Sequence, residues 1–167
     1  MTTIAIDPSG NFLEGKGHTG IATIVDCDWE TVSTESINAK DYDTRYEYWT
    51  AVKQIIAKYV IRKTPVQVVI ENYVVRSNGF TTGKMPETAM LIGVLAYFCE
   101  ECQIPVYLQS PSQAKTRFRD DLLPSYIPGL RVSDKNRYYL KDKLINDHER
   151  DAVKHLLYFK RYKEYHK

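Results

Sequence analysis

Thr2-Thr3-Ile4-Ala5-Ile6-Asp7-Pro8-Ser9-Gly10 is a short apolar, β-branched run that stops on an aspartate and is followed at once by proline, serine and glycine. The run predicts a buried central strand, with Pro8-Ser9-Gly10 as the loop leaving its carboxyl end. Ligand-binding and catalytic groups of sheet proteins often sit just past the carboxyl ends of strands, where Asp7 stands. Alone, Asp7 needs no such role, because aspartates commonly hydrogen-bond their own turn. A functional assignment depends on other metal-binding groups that can reach it.

Outward from this strand, the polar segment from Asn11 to His18 leads to Thr19-Gly20-Ile21-Ala22-Thr23-Ile24-Val25-Asp26, a second strand paired back on the first as a hairpin. Trp29 to Ile37, with Thr31, Val32 and Thr34, predicts a third. From Asp43, a candidate cap, the period becomes helical through Trp49, Val52, Ile55, Ile56, Tyr59 and Val60. Val66-Gln67-Val68-Val69-Ile70 is then a strand ending on Glu71, the same pattern as the first.

Asn72 to Met85, with Gly79 and Gly83, predicts a loop, and Pro86 can open a helix. Thr88 to Cys102 is apolar nearly all round, as in a helix buried on two sides. Ile104 to Leu108 predicts a fifth strand. Ser110-Pro111-Ser112 opens a helix carrying Lys115, Arg117 and Arg119, broken by Pro124, Pro128 and Gly129. Ser133 to Ile145 predicts a further helix. Asn146 caps the last one with Glu149 three residues on, ahead of an apolar face of Val153, Leu156, Leu157 and Phe159. This order predicts an α/β protein with a mixed sheet layered by helices.

The 167 residues suit one domain, 1–167, with a substantial core. No run of about 18 apolar residues exists, so no membrane span is expected, and the start lacks a secretory pattern, which makes a cytoplasmic location the default. Cys27, Cys99 and Cys102 are odd in number, and Cys99 and Cys102 lack a second ligand pair, which argues against a disulfide framework and against structural zinc. The net charge of +2 does not itself indicate nucleic acid. Arg131, Lys135, Arg137, Lys141 and Lys143 with the three basic residues after Ser112, and Lys160, Arg161, Lys163 and Lys167 in the tail, suit phosphate binding and solvated helix faces equally.

Asp7 and Glu71 both close buried strands. If those strands are neighbours, the two carboxylates meet at one sheet edge. On the last helix, Asp147 and Asp151 stand at i, i+4, and His148 and Asp151 at i, i+3, so either pair shares a face. Acids converging on one spot need a counter-charge, and an oxygen-rich site suits magnesium or manganese. Each residue also has a plain explanation. Glu71 can be an exposed strand end, Asp147 and Asp151 can serve the helix dipole, and His148 can lie on the surface. The joint pattern is what weighs against all of these together.

The joint pattern resembles the RuvC-type Holliday-junction resolvases of the ribonuclease-H-like superfamily. The matching pieces are Asp7-Pro8-Ser9-Gly10 with Thr19-Gly20, then Val68-Val69-Ile70-Glu71, then His148-Glu149-Arg150-Asp151-Ala152, with the fifth strand and Ser112-Gln113-Ala114-Lys115 similar in place and type. The resemblance spans nearly the whole chain and implies a ribonuclease-H-like fold, a five-stranded mixed sheet with helices on both faces. Ribonucleases H resemble a pattern with an aspartate ending the fourth strand and a glutamate on the first helix. Here the fourth strand ends in Glu71, and Glu47 on the first helix is expected at the surface. The loop between Asp7 and Thr19 is longer than in the family. Val74 takes the place of the family's aromatic wedge, with Tyr73 and Phe80 nearby. The compact size looks like a phage version, which would place the chain in host cytoplasm.

The resemblance implies a metal-dependent endonuclease that resolves branched DNA, four-way junctions included, as a homodimer. Asp7, Glu71, His148 and Asp151 would hold two Mg2+ or Mn2+ ions, and Lys115 would contact phosphate. Asp147 is the alternative ligand to His148, and a solvated lysine is the alternative for Lys115. The rivals are a ribonuclease-H-like nuclease acting on RNA–DNA hybrid or ribosomal RNA precursor, and a branched-DNA binding protein that does not cleave. A sugar-kinase-like ATPase needs a second duplicated domain, for which the chain is too short.

Overall fold

The structure, a computed structural model, describes residues 1–13, 15–73 and 87–162. Its centre is a five-stranded sheet of β1 (Thr2–Asp7), β2 (His18–Val25), β3 (Asp28–Asn38), β4 (Val66–Glu71) and β5 (Val106–Gln109), in the order β3-β2-β1-β4-β5. β1 pairs antiparallel with β2 and parallel with β4, so the sheet is mixed. Every residue of β1 is buried, Thr2, Thr3 and Asp7 included, as expected of a strand covered on both faces.

Strand alternation divides the core in two. Ile4, Ile6, Ile21, Val68 and Ile70 face α1 (Arg45–Ile61) and α2 (Glu87–Glu101). Ala5, Ala22, Ile24 and Val69 face α4 (Asp147–Tyr162). Full burial of each such isoleucine contributes about 1.5–3 kcal/mol. α4 presents Val153, Leu156, Leu157 and Phe159 to this side, as its pattern predicts. Its start is closed by the expected capping box: Glu149 N–H donates to Asn146 Oδ1 at 2.9 Å, and Asn146 N–H donates to Glu149 Oε2 at 3.0 Å.

Three expectations are corrected. The helix over Ser133–Ile145 is absent. In its place β6 (Leu130–Val132), β7 (Tyr138–Leu140) and β8 (Lys143–Ile145) form a small antiparallel meander. Two turns explain it: Asn136 and Lys141 both take positive φ, 54° and 56°, which no helix interior accommodates. Between them, Tyr138 and Tyr139 favour strand, and Leu140 and Ile145 are buried against the α4 side. The helix after Ser110 is likewise shorter: α3 spans only Pro111–Lys115, and Arg117 and Arg119 lie beyond it. Thr44, not Asp43, caps α1, in a reciprocal pair with Glu47. Glu47 is exposed, as expected, and its carboxylate is occupied by the cap.

Among the described residues no helix is long and apolar enough to cross a membrane. Among the described residues, Cys27, Cys99 and Cys102 form no disulfide. The loop expected over Asn72–Met85 falls largely outside the described residues. So do Val74, Gly79, Phe80, Gly83, Pro86 and the basic tail residues Lys163 and Lys167.

Candidate active site

Period-two alternation turns Asp7 and Glu71, like Ala5 and Val69, to the α4 side of the sheet. Ile6 pairs with Ile70 across the parallel β1–β4 ladder, and the next residue of each strand is the carboxylate. The Asp7 and Glu71 side chains are 6% and 13% exposed. The loop after β1 is tied down by Thr19 and Tyr48. Ser9 N–H donates to Thr19 Oγ1 at 3.2 Å, and the Tyr48 hydroxyl donates to Ser9 O at 2.7 Å.

α4 brings the second set. His148, Asp151 and His155 stand three and four residues apart, so they line one stripe of the helix. The helix can come down on the sheet because Gly20, the β2 partner of Asp7, carries no side chain. A Cβ there would lie 2.1 Å from the carbonyl carbon of His148. His148 Nδ1–H donates to Asp7 Oδ2 at 2.6 Å. Asp147 points elsewhere: its side chain is 86% exposed and pairs with Arg150 at 2.8 Å.

Lys115 enters from the end of α3. Its Nζ lies 2.9 Å from Glu71, 2.8 Å from Asp151 and 3.7 Å from Asp7. It is therefore no solvated helix lysine; its ammonium stands among three carboxylates. Around them runs an outer ring. His155 Nε2–H donates to Glu71 Oε2 at 2.7 Å. Lys154 bridges Asp151 at 2.8 Å and Asp120 at 2.6 Å, and Arg150 also reaches Asp120, at 3.3 Å.

The electrostatics follow from this packing. Burial, opposed by the His148 hydrogen bond and reinforced by the Glu71 charge, raises the Asp7 carboxyl from 3.8 to about 6. Burial would raise Glu71 as well, but hydrogen bonds from His155, Asp7 and Lys115 outweigh it and hold Glu71 at about 2. Of the two acids, Asp7 is therefore the one that takes up a proton first as pH falls. The hydrogen bond to Asp7 raises the His148 imidazole above its ordinary value, against burial. Burial would lower Lys115, yet the charge of Asp7 and the hydrogen bonds to Asp151 and Glu71 hold it above the usual lysine range.

The donor set suits a hard divalent cation. Three carboxylates already surround one positive charge, with an imidazole at the edge, and magnesium and manganese favour such oxygen-rich sites. As the side chains stand they close on the Lys115 ammonium. Among the described residues, no three His, Cys, Asp or Glu side chains converge on a common coordination point. Metal binding by these side chains would require Lys115 to leave the acids.

Sequence reasoning missed His155, Gln109, Lys154 and Asp120. His155 carried a usable signal, since it lies four residues past Asp151 and seven past His148. Gln109 and Asp120 carried none, because only the tertiary fold brings their elements to the site.

No family model matches the chain, and no characterised protein matches it by sequence. Among solved structures it is similar to a Thermus thermophilus RuvC in complex with a Holliday junction substrate. The TM-score is 0.63 at 14% identity, over 96% of this chain and 95% of that one. It is also similar to a second Thermus thermophilus RuvC structure, with TM-score 0.60 at 17% identity, over 96% of each chain. The chain therefore has a RuvC-like, ribonuclease-H-like fold, as the sequence resemblance implied.

Proposed function

We propose that this chain is a structure-specific endonuclease that resolves branched DNA, four-way junctions in particular, by metal-dependent hydrolysis of a phosphodiester. One observation carries the reading: Asp7, Glu71 and Asp151 gather around a single cation, with His148 on Asp7, at the carboxyl ends of β1 and β4 in a RuvC-like fold. Acids so buried and so close are costly unless a cation belongs with them.

Asp7, Glu71, His148 and Asp151 are the residues that would hold one or two Mg2+ or Mn2+ ions. Bound there, the ions supply charge to the attacking and leaving oxygens of an in-line displacement. Asp7, central and in reach of both strand and helix groups, would contribute to both ions. Glu71 would contribute to one, and His148 and Asp151 to the other. His148 holds Asp7 in place through Nδ1. Lys115, released from the acids, is free to pair with a phosphate oxygen of the DNA. The reaction needs water as nucleophile and no covalent intermediate on the protein.

The partner is branched DNA, met by a homodimer. Two symmetric sites suit two symmetry-related strands of a junction. α2 offers the face: Val94 and Tyr97 are 37% and 67% exposed, and a Cβ on Gly93 would meet nothing within 4 Å. Trp49, Met90 and Phe98 line the groove beside them.

The alternatives divide on the same geometry. An RNA–DNA hybrid nuclease would want a first-helix carboxylate, and Glu47 is spent on the α1 cap. A non-cleaving binder would keep Lys115 among the acids permanently. The test is cleavage of a four-way junction with Mg2+ or Mn2+, beside duplex and RNA–DNA hybrid. Preferential junction cutting supports the proposal. Hybrid cutting, or binding without cutting in either metal, rejects it.

A further inference from the structure

His155 is wholly buried, yet it is polar and sits directly behind a carboxylate of the candidate site. It closes a triangle of three elements. Glu71 on β4 and Gln109 on β5 are paired residues in the parallel ladder, so their side chains leave the same face. His155 descends on that face from α4. Its Nε2–H donates to Glu71 Oε2 at 2.7 Å, and its Nδ1 lies 2.9 Å from the Gln109 side-chain amide, whose NH2 has no other partner among the described residues and, turned to the ring, donates to Nδ1. Gln109 is itself only 2% exposed.

We propose that His155, backed by Gln109, is the positioning residue for Glu71: it pins Oε2 and leaves Oε1 facing the cation that stands among the acids. This rests on the metal-site reading above. Without a metal, Lys115 holds Glu71 as well, at 3.0 Å from Oε1 and 2.9 Å from Oε2. Departure of Lys115 on metal binding removes that restraint. The His155 hydrogen bond is then what stops the carboxylate from rotating about its last bond or turning both oxygens to one ion. A buried ring between two strand ends and a helix is well suited to this, since neither its backbone nor its rotamer can drift. Lys154 gives Asp151 a comparable support at 2.8 Å, but as a long flexible ammonium shared with Asp120 it fixes direction less tightly.

The test reads metal binding rather than cleavage. Mn2+ binding to the full chain, without DNA, is measured by electron paramagnetic resonance for the unsubstituted protein, His155→Leu, His155→Gln, Glu71→Ala and Glu71→Ala with His155→Leu. His155→Leu fills the space with no donor and should weaken binding about 10–100-fold. His155→Gln carries an amide N–H about as far from the backbone as Nε2 and should restore most of it. In the Glu71→Ala background, His155→Leu should add nothing. If Glu71→Ala binds Mn2+ normally, the metal-site reading itself fails. If Glu71→Ala is impaired while His155→Leu is not, or if Leu and Gln are equally impaired, His155 does not position Glu71. A measurement on the folded unsubstituted protein guards against variants that do not fold. The His155 Nε2–H proton should exchange slowly with water in NMR spectra and shift in Glu71→Gln; rapid exchange overturns the proposal.

Discussion

Asp7 and Glu71 leave neighbouring parallel strands one residue past the Ile6–Ile70 pair, on the same face of the sheet, with the Asp7 carboxyl raised to about 6 and Glu71 held at about 2. Two acids held this way cannot both ionise freely without a cation. The consequences for stability and for activity have opposite signs.

Asp7→Asn should stabilise the metal-free protein at neutral pH. The Asp7 carboxyl is raised to about 6 from 3.8, so the folded state keeps a proton that the unfolded chain gives up. Its contribution is complete below about pH 4 and is lost as pH rises to about 6. At pH 8 the substitution should therefore add up to about 3 kcal/mol, and near pH 4 almost nothing. Glu71 runs the other way: held at about 2, it contributes stability above pH 4.5 that disappears as pH falls towards 2. Thermal melts in chelator from pH 4 to 8 check the sign. The same variant should still bind a four-way junction, weakening with salt as counterions are released, and should not cut it.

Lys115→Met removes the cation from among three carboxylates. Because Lys115 is about one-third exposed, solvent moderates the loss, and about 1–2 kcal/mol of stability should go at pH 8. Divalent metal no longer has to displace an ammonium, so Mn2+ should bind more tightly while cleavage falls. Calorimetric titration beside a junction assay separates the two effects. Weaker metal binding in this variant would show that Lys115 does not compete for the site.

Gly20→Ala should be severe. The added methyl would stand 2.1 Å from the His148 carbonyl carbon, where backbone must yield. Overpacking of this kind costs about 1–3 kcal/mol or more, and the shift should also carry His148 away from Asp7. Denaturant melts measure the first effect and Mn2+ affinity the second.

His148→Ala should impair cleavage, and Asp147→Ala should not, because His148 faces Asp7 while Asp147 faces solvent. An imidazole donor favours manganese over magnesium, so His148→Asp should move the metal preference towards magnesium. Cleavage rates of the three variants in each metal decide this; a dead Asp147→Ala beside an active His148→Ala would reverse the assignment.

Tyr97→Glu on α2 should lower the mass seen by light scattering at micromolar concentration from dimer to monomer without unfolding the chain. A strictly monomeric unsubstituted protein would remove the proposed dimer altogether.

What could be read from the chain was what short-range patterns encode. Burial on both faces writes itself as the continuous apolar runs of β1 and β4, and each run ends where a carboxylate can no longer be buried cheaply. The α4 cap is legible because Asn146 and Glu149 satisfy each other's backbone within one turn. The stretch from Ser133 to Ile145 reads as a helix because its apolar residues fit either period, and the left-handed turns at Asn136 and Lys141 are made by residues that give no glycine signal. Residue by residue, then, the sequence determined the strand ends, the helix faces and the pairing of acids with a histidine-bearing helix. Only the tertiary structure decided which cation stands among the acids and which side chains hold them. Lys115, His155, Gln109 and Asp120 come from separate elements, and their roles arise from desolvation and from distances across the sheet, which no local pattern records.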